Sequence, residues 1–195
     1  INSSSGVLMF NNAPDYETKS SYSVIVTASD GNDSASQIIS ITIINVDDVA
    51  PVFTSSATFS AAENQTAIGT VTATDADSDT VSYSLSGTDA SSMSINSSSG
   101  VLAFNSAPDY ETKSSYAATV TASDGTNSST QNITVNLSNL NDNTPSITSS
   151  ATFSAAENQT AIGTVTATDA DGETLSYSLS GTDASSMSIN SSSGV

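Results

Sequence analysis

The 195-residue sequence predicts an all-β protein built from tandem Greek-key sandwiches of about seven strands each. Two observations support this prediction. Apolar residues alternate with polar ones in short runs rich in β-branched residues, which is typical of strands with one buried face. The segment INSSSGV also occurs at 1–7, 95–101 and 189–195, so the sequence repeats with a period of 94 residues. That length suits one immunoglobulin-like sandwich per repeat.

The predicted strands follow one another in the same order in every repeat. Within the complete repeat the alternating runs lie at 68–73, 81–85, 93–95, 102–104, 116–122 and 133–137. Turn residues separate several of these runs, at 86–89, 99–100 and 124–127. No run has a helical period, so we expect no helix.

The repeat also predicts the domain organisation. The chain begins and ends at the same phase of the repeat, and only five of fifty-one positions differ between 51–101 and 145–195. We therefore expect a C-terminal half-repeat at 1–48, a complete repeat at 49–142 and an N-terminal half-repeat at 143–195. Each half is expected to pair with further chain or with the complementary half of a neighbouring molecule.

The composition excludes several classes of function. The chain has twenty acidic residues and only two basic ones, Lys19 and Lys113, for a net charge of −18. It contains no cysteine and no histidine, so zinc, haem and iron–sulfur sites and histidine-dependent nucleophiles are not expected. Nucleic acid and anionic membranes would repel so acidic a chain. No segment is long and apolar enough to span a membrane.

Most of the acidic residues lie at predicted strand ends. In the complete repeat they fall in the short motifs AEN, TDAD, PDYE, ASDG and NLNDNTP, as Glu63, Asp75, Asp77, Asp109, Glu111, Asp124 and Asp142. Carboxylates two residues apart on a strand point to the same side. Several such pairs at one end of a domain would repel, and almost no lysine is available to neutralise them. A hard cation such as Ca²⁺, which accepts six to eight oxygen ligands, would relieve this repulsion.

The order of these motifs resembles that of the cadherin repeat. The sequence reads Pro51-x-Phe53, Glu63-Asn64, Asp75-x-Asp77, Met93-x-Ile95 with Gly100, Asp109-x-Glu111, Ala122-x-Asp124-Gly125 and Asn139-x-Asn141-Asp142-Asn143-x-Pro145. The resemblance extends over the whole chain. It implies a cadherin-like sandwich with Ca²⁺ bound at each junction between repeats.

The resemblance also implies which residues bind the cation. At the first junction the expected ligands are Asp15, Glu17, Asn45, Asp47, Asp48, Asp75, Asp77 and Asp124. At the second junction they are Glu63, Asp109, Glu111, Asn139, Asn141, Asp142, Asp169 and Asp171, with the carbonyls of Leu140 and Asn143. Asp30 and Glu157 would serve outer junctions. Only Asp33, Asp79, Asp89, Glu173 and Asp183 fall outside these sets.

Three departures from the family pattern affect the number of ions. Asn45 and Asn139 replace the first acid of the linker motif, Asp47 replaces an asparagine, and tyrosine replaces arginine within the Asp-x-Glu motif. We therefore expect two to three Ca²⁺ ions at each junction.

Other interpretations of the acidic residues are weaker. They could be solvated strand ends, but scattered surface charge would not keep the order of the motifs. They could be the two carboxylates of a glycosidase, but every repeat carries the same set. We therefore predict that the chain is not an enzyme.

The predicted function is that of a stiff extracellular array. Extracellular modules bind Ca²⁺ at about 0.1–1 mM, which only an exterior fluid supplies. The near-identical repeats resemble the extender regions of large bacterial surface adhesins more than animal cell–cell cadherins. The predicted function is thus the stalk of an adhesin whose distal ligand is unknown, with neighbouring repeats as partners. The alternative is a structural subunit of an extracellular filament or matrix. Direct binding of a sugar or protein partner is a weaker third possibility.

Overall fold

The computed structural model describes all 195 residues, in thirteen β-strands and two three-residue 3-10 turns. The strands are β1 Ser21–Ser29, β2 Ser34–Thr42, β3 Val52–Phe53, β4 Thr58–Ala62, β5 Ala67–Thr70, β6 Ala73–Thr74, β7 Ser82–Ser86, β8 Met93–Ile95, β9 Val101–Phe104, β10 Ser115–Ser123, β11 Ser128–Ser138, β12 Ser146–Ile147 and β13 Ala167–Thr168. The 3-10 turns are Ala90–Ser92 and Ala184–Ser186. The all-β prediction is confirmed, and no helix is long and apolar enough to cross a membrane.

The central repeat forms a sandwich of two main sheets. One has the strand order β4-β11-β10-β7, with β4 parallel to β11, and the other has the order β5-β9-β8. The pair β3-β6 forms a third, two-residue ladder. This region therefore has nine strands instead of about seven. The extra strands arise because β3 pairs with β6 while β4, a few residues later, pairs with β11.

The core lies between the two main sheets. Val71, Leu102, Val120, Ile133 and Val135 are almost completely buried there. Along β10 and β11 every second side chain points inward, as the period of two requires. Because this packing fixes both ends of each strand, it also fixes the acidic loops at the ends of the sandwich.

The segment INSSSGV forms the tight turn between β8 and β9. The side chain of Asn96 accepts hydrogen bonds from the backbone N–H groups of Ser98 and Ser99 at 3.0 and 2.9 Å. Gly100 has a φ of +68°, and a Cβ built on it would lie only 2.0 Å from the carbonyl oxygen of Val71. Only glycine fits this position.

The flanking segments expose side chains whose counterparts are buried in the central repeat. Phe10 is 39% exposed and Met187 46%, whereas Phe104 and Met93, one repeat period away, are each 4% exposed and form a directly opposed pair. The only strands of the first segment are the hairpin of β1 and β2, and the only strands of the last are the short ladder of β12 and β13. The boundaries 1–48, 49–142 and 143–195 remain a prediction.

Candidate metal centre

Glu63 is the most deeply buried acidic residue at the second junction. It follows β4, is 1% exposed, and is followed by Asn64 in the left-handed conformation, which turns the chain away. Its Oε2 accepts a hydrogen bond from the Tyr110 backbone N–H at 2.8 Å, and its Oε1 accepts one from that of Leu140 at 2.6 Å. The carboxylate therefore joins the Asp-x-Glu segment to the linker between repeats.

Seven carboxylates form a continuous row across the second junction. It consists of three overlapping clusters, and within each cluster the ligand oxygens lie within 4.8 Å of one another. The clusters are Glu63–Asp109–Glu111, Glu111–Asp142–Asp171 and Asp169–Asp171–Glu173. Glu111 and Asp171 each belong to two clusters, so the row runs without a break from the central repeat through the linker into the next repeat.

Asn143 is the main hydrogen-bond donor within this row. Its Nδ2 donates to carboxylate oxygens of Glu111, Asp142 and Asp171 at 3.2, 2.9 and 2.9 Å. The side-chain amide of Asn143 holds the pKa of Asp171 below its ordinary value, and the backbone N–H groups of Asn143 and Asp142 add to this effect. Desolvation, together with the charges of Glu63 and Asp171, raises the pKa of Glu111. The neutral amide of Asn143 therefore compensates only part of the negative charge of these carboxylates.

The remaining predicted residues of this junction differ in their positions. Asp109 closes a turn by accepting hydrogen bonds from the hydroxyl of Thr112 at 2.8 Å and from the backbone N–H of Glu111 at 3.0 Å. The hydroxyl bond lowers the pKa of Asp109. Asn139 donates through Nδ2 to the carbonyl oxygen of Asp171 at 2.9 Å. Asn141 lines a groove that Asp169 also lines.

At the first junction the predicted residues gather around Asp77. Glu17, Asp48 and Asp77 form one cluster with ligand oxygens within 4.8 Å. Asp77 is 7% exposed, and its Oδ2 accepts hydrogen bonds from the backbone N–H groups of Val49 and Asp48 at 3.0 and 3.2 Å. The Val49 bond is the main cause of the lowered pKa of Asp77. Asn45 donates to the carbonyl oxygen of Asp77 at 3.0 Å.

Asp15 occupies the same position at the first junction as Asp109 does at the second. Its carboxylate accepts a hydrogen bond from the hydroxyl of Thr18 at 2.8 Å, and this bond lowers its pKa. Its negative charge also acts on Asp77. The Asp-x-Glu motif therefore forms the same local turn in both copies.

Asp47, Asp75 and Asp124 complete the acidic environment of the first junction. Asp124 Oδ1 accepts hydrogen bonds from the backbone N–H groups of Thr126 and Asn127, at 2.7 and 2.6 Å. The side chain of Asn127 donates to Asp47 Oδ1 at 3.2 Å and so connects the linker to this loop. Asn127 was not among the residues predicted from the sequence, and its position in the turn after Asp124-Gly125 is the only signal that could have indicated it.

Three carboxylate oxygens at the first junction are buried without a hydrogen-bond partner. They are Asp75 Oδ2, Asp77 Oδ1 and Asp124 Oδ2. A buried carboxylate oxygen without a partner is costly in free energy, and a hard cation is the partner that such oxygens suit. The residues present therefore fit Ca²⁺ on grounds independent of sequence motifs.

Two predicted ligands, Asp30 and Glu157, lie apart from the clusters, and one residue that was not predicted, Glu173, belongs to a cluster. Asp30 lies outside both junctions, where its carboxylate accepts hydrogen bonds from the backbone N–H groups of Asn32 and Asp33 at 2.9 and 2.8 Å. Glu157 belongs to no cluster. Glu173, which the sequence analysis left outside the ligand sets, is a member of the third cluster because its side chain reaches Asp169 and Asp171.

The fold and the acidic junctions together define a class of protein: tandem β-sandwiches with carboxylate clusters between repeats that suit a cation. Comparison with known proteins identifies the family of the central segment. Residues 57–138 match the family model of the cadherin domain. The chain therefore contains a cadherin domain, in agreement with the resemblance found in its motifs.

Individual relatives support this identification. The chain is 34% identical over 188 residues to mouse Protocadherin Fat 4, covering 88% of the chain and 4% of that protein. It is 32% identical over 174 residues to human Protocadherin gamma-A10, covering 82% of the chain and 19% of that protein. The chain thus spans only a small part of the length of these relatives.

Solved structures show the same fold. The protocadherin gammaB7 EC3-6 cis-dimer structure matches with a TM-score of 0.79 and 30% identity, over 92% of this chain and 52% of that one. Mouse Cadherin-23 EC22-24 matches with a TM-score of 0.72 and 26% identity, over 94% of this chain and 65% of that one.

The family confirms several coarse predictions. Cadherin domains are extracellular adhesion modules and not enzymes, and they typically bind calcium at the junctions between domains. The predictions of an extracellular or cell-surface location and of a non-enzymatic chain are therefore confirmed. The relatives named above are animal proteins, so the resemblance to bacterial adhesins stays a prediction.

Proposed function

We propose that this chain is a section of a calcium-rigidified extracellular array that forms the stalk of a large surface adhesin. The observation that carries this proposal is the unbroken row of carboxylates at the second junction, to which the central repeat, the linker and the next repeat all contribute. A site built from three separate segments can control the angle between two repeats. A bacterial surface is one setting in which such a stalk would work.

The proposed ligands are the residues that the sequence analysis assigned to the two junctions. Two to three Ca²⁺ ions would bring four to six positive charges to the six carboxylates assigned to the second junction. Without a cation, two unit charges at about 4 Å repel by roughly 4 kcal/mol at an effective dielectric constant of about 20. Repulsion of this size across a short linker favours bent and separated arrangements of the repeats.

Hydrogen bonds from the linker support the proposed rigidity. The backbone N–H groups of Asp142 and Asn143 donate to Asp171 of the following repeat at 3.1 and 2.8 Å, while Leu140 donates to Glu63 of the preceding one at 2.6 Å. The linker is thus attached to both repeats. Bound Ca²⁺ would supply the positive charge that these neutral donors lack.

Neighbouring repeats are the proposed partners of the two flanking segments. Leu8 and Phe10 are about 40% exposed, whereas their counterparts Leu102 and Phe104 are buried in the central core. Packing of the same kind in an adjoining repeat would cover them. Such a repeat could belong to the same chain or to another molecule of a polymer.

The second candidate function is a structural subunit of an extracellular filament or matrix. The near-identity of 51–101 and 145–195 favours it, because a material built from repeats needs uniform units. Electron microscopy of a multi-repeat protein would separate the two functions. Single extended molecules would support the stalk, and lateral bundles would support the filament.

Small-angle scattering of a multi-repeat protein tests the proposed rigidity. Chelation or Asp142→Ala should shorten the maximum dimension while circular dichroism still reports β structure, because the core residues lie away from the linker. Asp33→Ala is the matched control, since it removes the same charge from an exposed turn outside all four clusters. An unchanged dimension after chelation would contradict the proposal and indicate that direct packing holds the repeats.

A further inference from the structure

The acidic residue two positions after the Asp-x-Asp pair belongs to no ligand motif of the sequence. It is Asp79 in one copy and Glu173 in the other. The preceding residue, Ser78 or Gly172, also differs between the copies. Two of the five differences between these nearly identical segments therefore fall beside the candidate metal site.

The backbone turns this residue towards the Asp-x-Asp carboxylates in both copies. Ser78 has a φ of +73° and Gly172 a φ of +85°, so both adopt the left-handed conformation that reverses the chain. In the first copy the turn brings the Asp79 backbone N–H to 3.3 Å from Asp75 Oδ1. The backbone conformation of the loop therefore places residue 79 or 173 next to the site, whichever side chain it carries.

The length of the side chain distinguishes the two copies. The carboxylate of Glu173 lies within 4.8 Å of those of both Asp169 and Asp171. Asp79 is one methylene shorter and belongs to no such cluster, although the charges of Asp47, Asp75, Asp77 and Asp124 all act on it. Only glutamate reaches the shared cluster.

In the first copy, an independent observation indicates that this corner of the fold suits a cation. In the first copy, Asp77 is 7% exposed, and its Oδ1 is buried without any hydrogen-bond partner. Asp75 Oδ2 and Asp124 Oδ2 are in the same state. The charges of these three residues act on Asp79, so the oxygens that lack partners lie in the first-copy counterpart of the corner that contains Glu173.

We propose that Glu173 is an additional carboxylate ligand of the divalent cation held by Asp169 and Asp171, whereas Asp79 is not a ligand of its counterpart. Glu173 then adds to the affinity of the second junction for the cation, whereas Asp79 adds little to that of the first. Affinity in oxygen-ligand sites depends on the number of charged ligands. This inference rests on the proposed calcium function of the junctions.

Calcium titration of the 195-residue chain, followed by the backbone amide signals of Gly172 and Ser78 in two-dimensional NMR, reports the two sites separately. Glu173→Gln should weaken binding at Gly172 by about tenfold and leave Ser78 unchanged. Asp79→Asn, the matched neutralisation in the other copy, should change binding at Ser78 by less than about twofold. Asp79→Glu should tighten binding at Ser78, which is a gain that misfolding cannot produce.

The outcomes separate this inference from the function on which it rests. If the unmodified chain shows no calcium-dependent shifts at millimolar concentration, the proposed function itself is wrong. If it binds calcium but Glu173→Gln leaves the Gly172 midpoint unchanged, only the role of Glu173 is overturned. An equal loss from Glu173→Gln and Asp79→Asn would contradict the difference between the junctions.

Discussion

Asp171 and Asn143 are joined by two hydrogen bonds across the second junction. Asp171 Oδ2 accepts from the Asn143 backbone N–H at 2.8 Å, and Oδ1 accepts from the side-chain Nδ2 at 2.9 Å. One repeat earlier, Asp77 faces Val49, whose backbone N–H donates to it at 3.0 Å but whose side chain has no donor. The second junction therefore has a neutral side-chain donor to its Asp-x-Asp carboxylate, and Asp77 of the first junction has no such donor.

Replacing Asn143 should affect the chain most strongly in the absence of calcium. Asn143→Val, which copies the first junction, should lower the melting temperature in chelator by about 2 °C because three carboxylates lose their shared donor. The effect should shrink in saturating calcium, where the cation supplies the compensation. Val49→Asn is the reciprocal variant, and a decrease in its melting temperature in chelator would contradict this account.

The pH dependence of stability should differ between the metal-free and metal-bound chain. Desolvation raises the pKa of Glu111 and Glu173 above the ordinary 4.5. As pH falls from 7 towards 4.5, the folded chain therefore binds protons before the unfolded one, and stability in chelator should rise.

Below pH 3.8, a further fall in pH should instead lower the stability of the metal-free chain. Hydrogen bonds from Val49 and Asn143 lower the pKa values of Asp77 and Asp171. The stability that these ionised carboxylates contribute is therefore present at higher pH and is lost as pH falls through their pKa values in the folded chain. With calcium bound, acidification should only destabilise, because protons compete with the cation. Thermal melts from pH 7 to 3, with and without calcium, measure both trends, and identical profiles would contradict the prediction.

Gly100→Ala should destabilise the central repeat by about 3 kcal/mol. The added Cβ would meet the carbonyl oxygen of Val71 at 2.0 Å, and φ is +68°. Gly125→Ala is the matched control, since φ there is +110° but no atom lies within 4 Å of the new Cβ. Its expected cost is about 1 kcal/mol, from backbone strain alone. Urea unfolding measures both, and equal losses would show that the contact with Val71 relaxes freely.

The two lysines should differ in their contribution to stability. Lys113 pairs with Asp89 and lies 4.7 Å from the centre of the Tyr116 ring, whereas Lys19 lies 4.5 Å from the Tyr22 ring without an acidic partner. Lys113→Ala should cost about 1 kcal/mol and Lys19→Ala about half of that. Denaturant unfolding at low and high salt measures this difference, which should shrink with salt. Equal costs would mean that the ion pair contributes nothing.

The sequence predicted the all-β class and the position of the acidic loops because both depend on local patterns. The inward side chains of β10 and β11 follow directly from their alternation of apolar and polar residues, and the turn at Gly100 follows from its residue types. The division of the first strand of the repeat into β3 and β4 had no such signal, since it depends on which partner strand each segment meets.

Sequence alone determined the 94-residue repeat, the chemistry of the carboxylates and their grouping at the ends of strands. Only the tertiary structure decided which carboxylates share a cluster, because that depends on side-chain reach and on backbone donors from distant segments. For this reason the sequence did not indicate that Glu111 and Asp171 each belong to two clusters. Nor did it indicate that Glu63 accepts hydrogen bonds from the backbone N–H groups of Tyr110 and Leu140. Glu173 and Asp79 differ for the same reason. The packing of the sandwich fixes the distance from residue 79 or 173 to the Asp-x-Asp carboxylates, and only the side chain that is longer by one methylene reaches them.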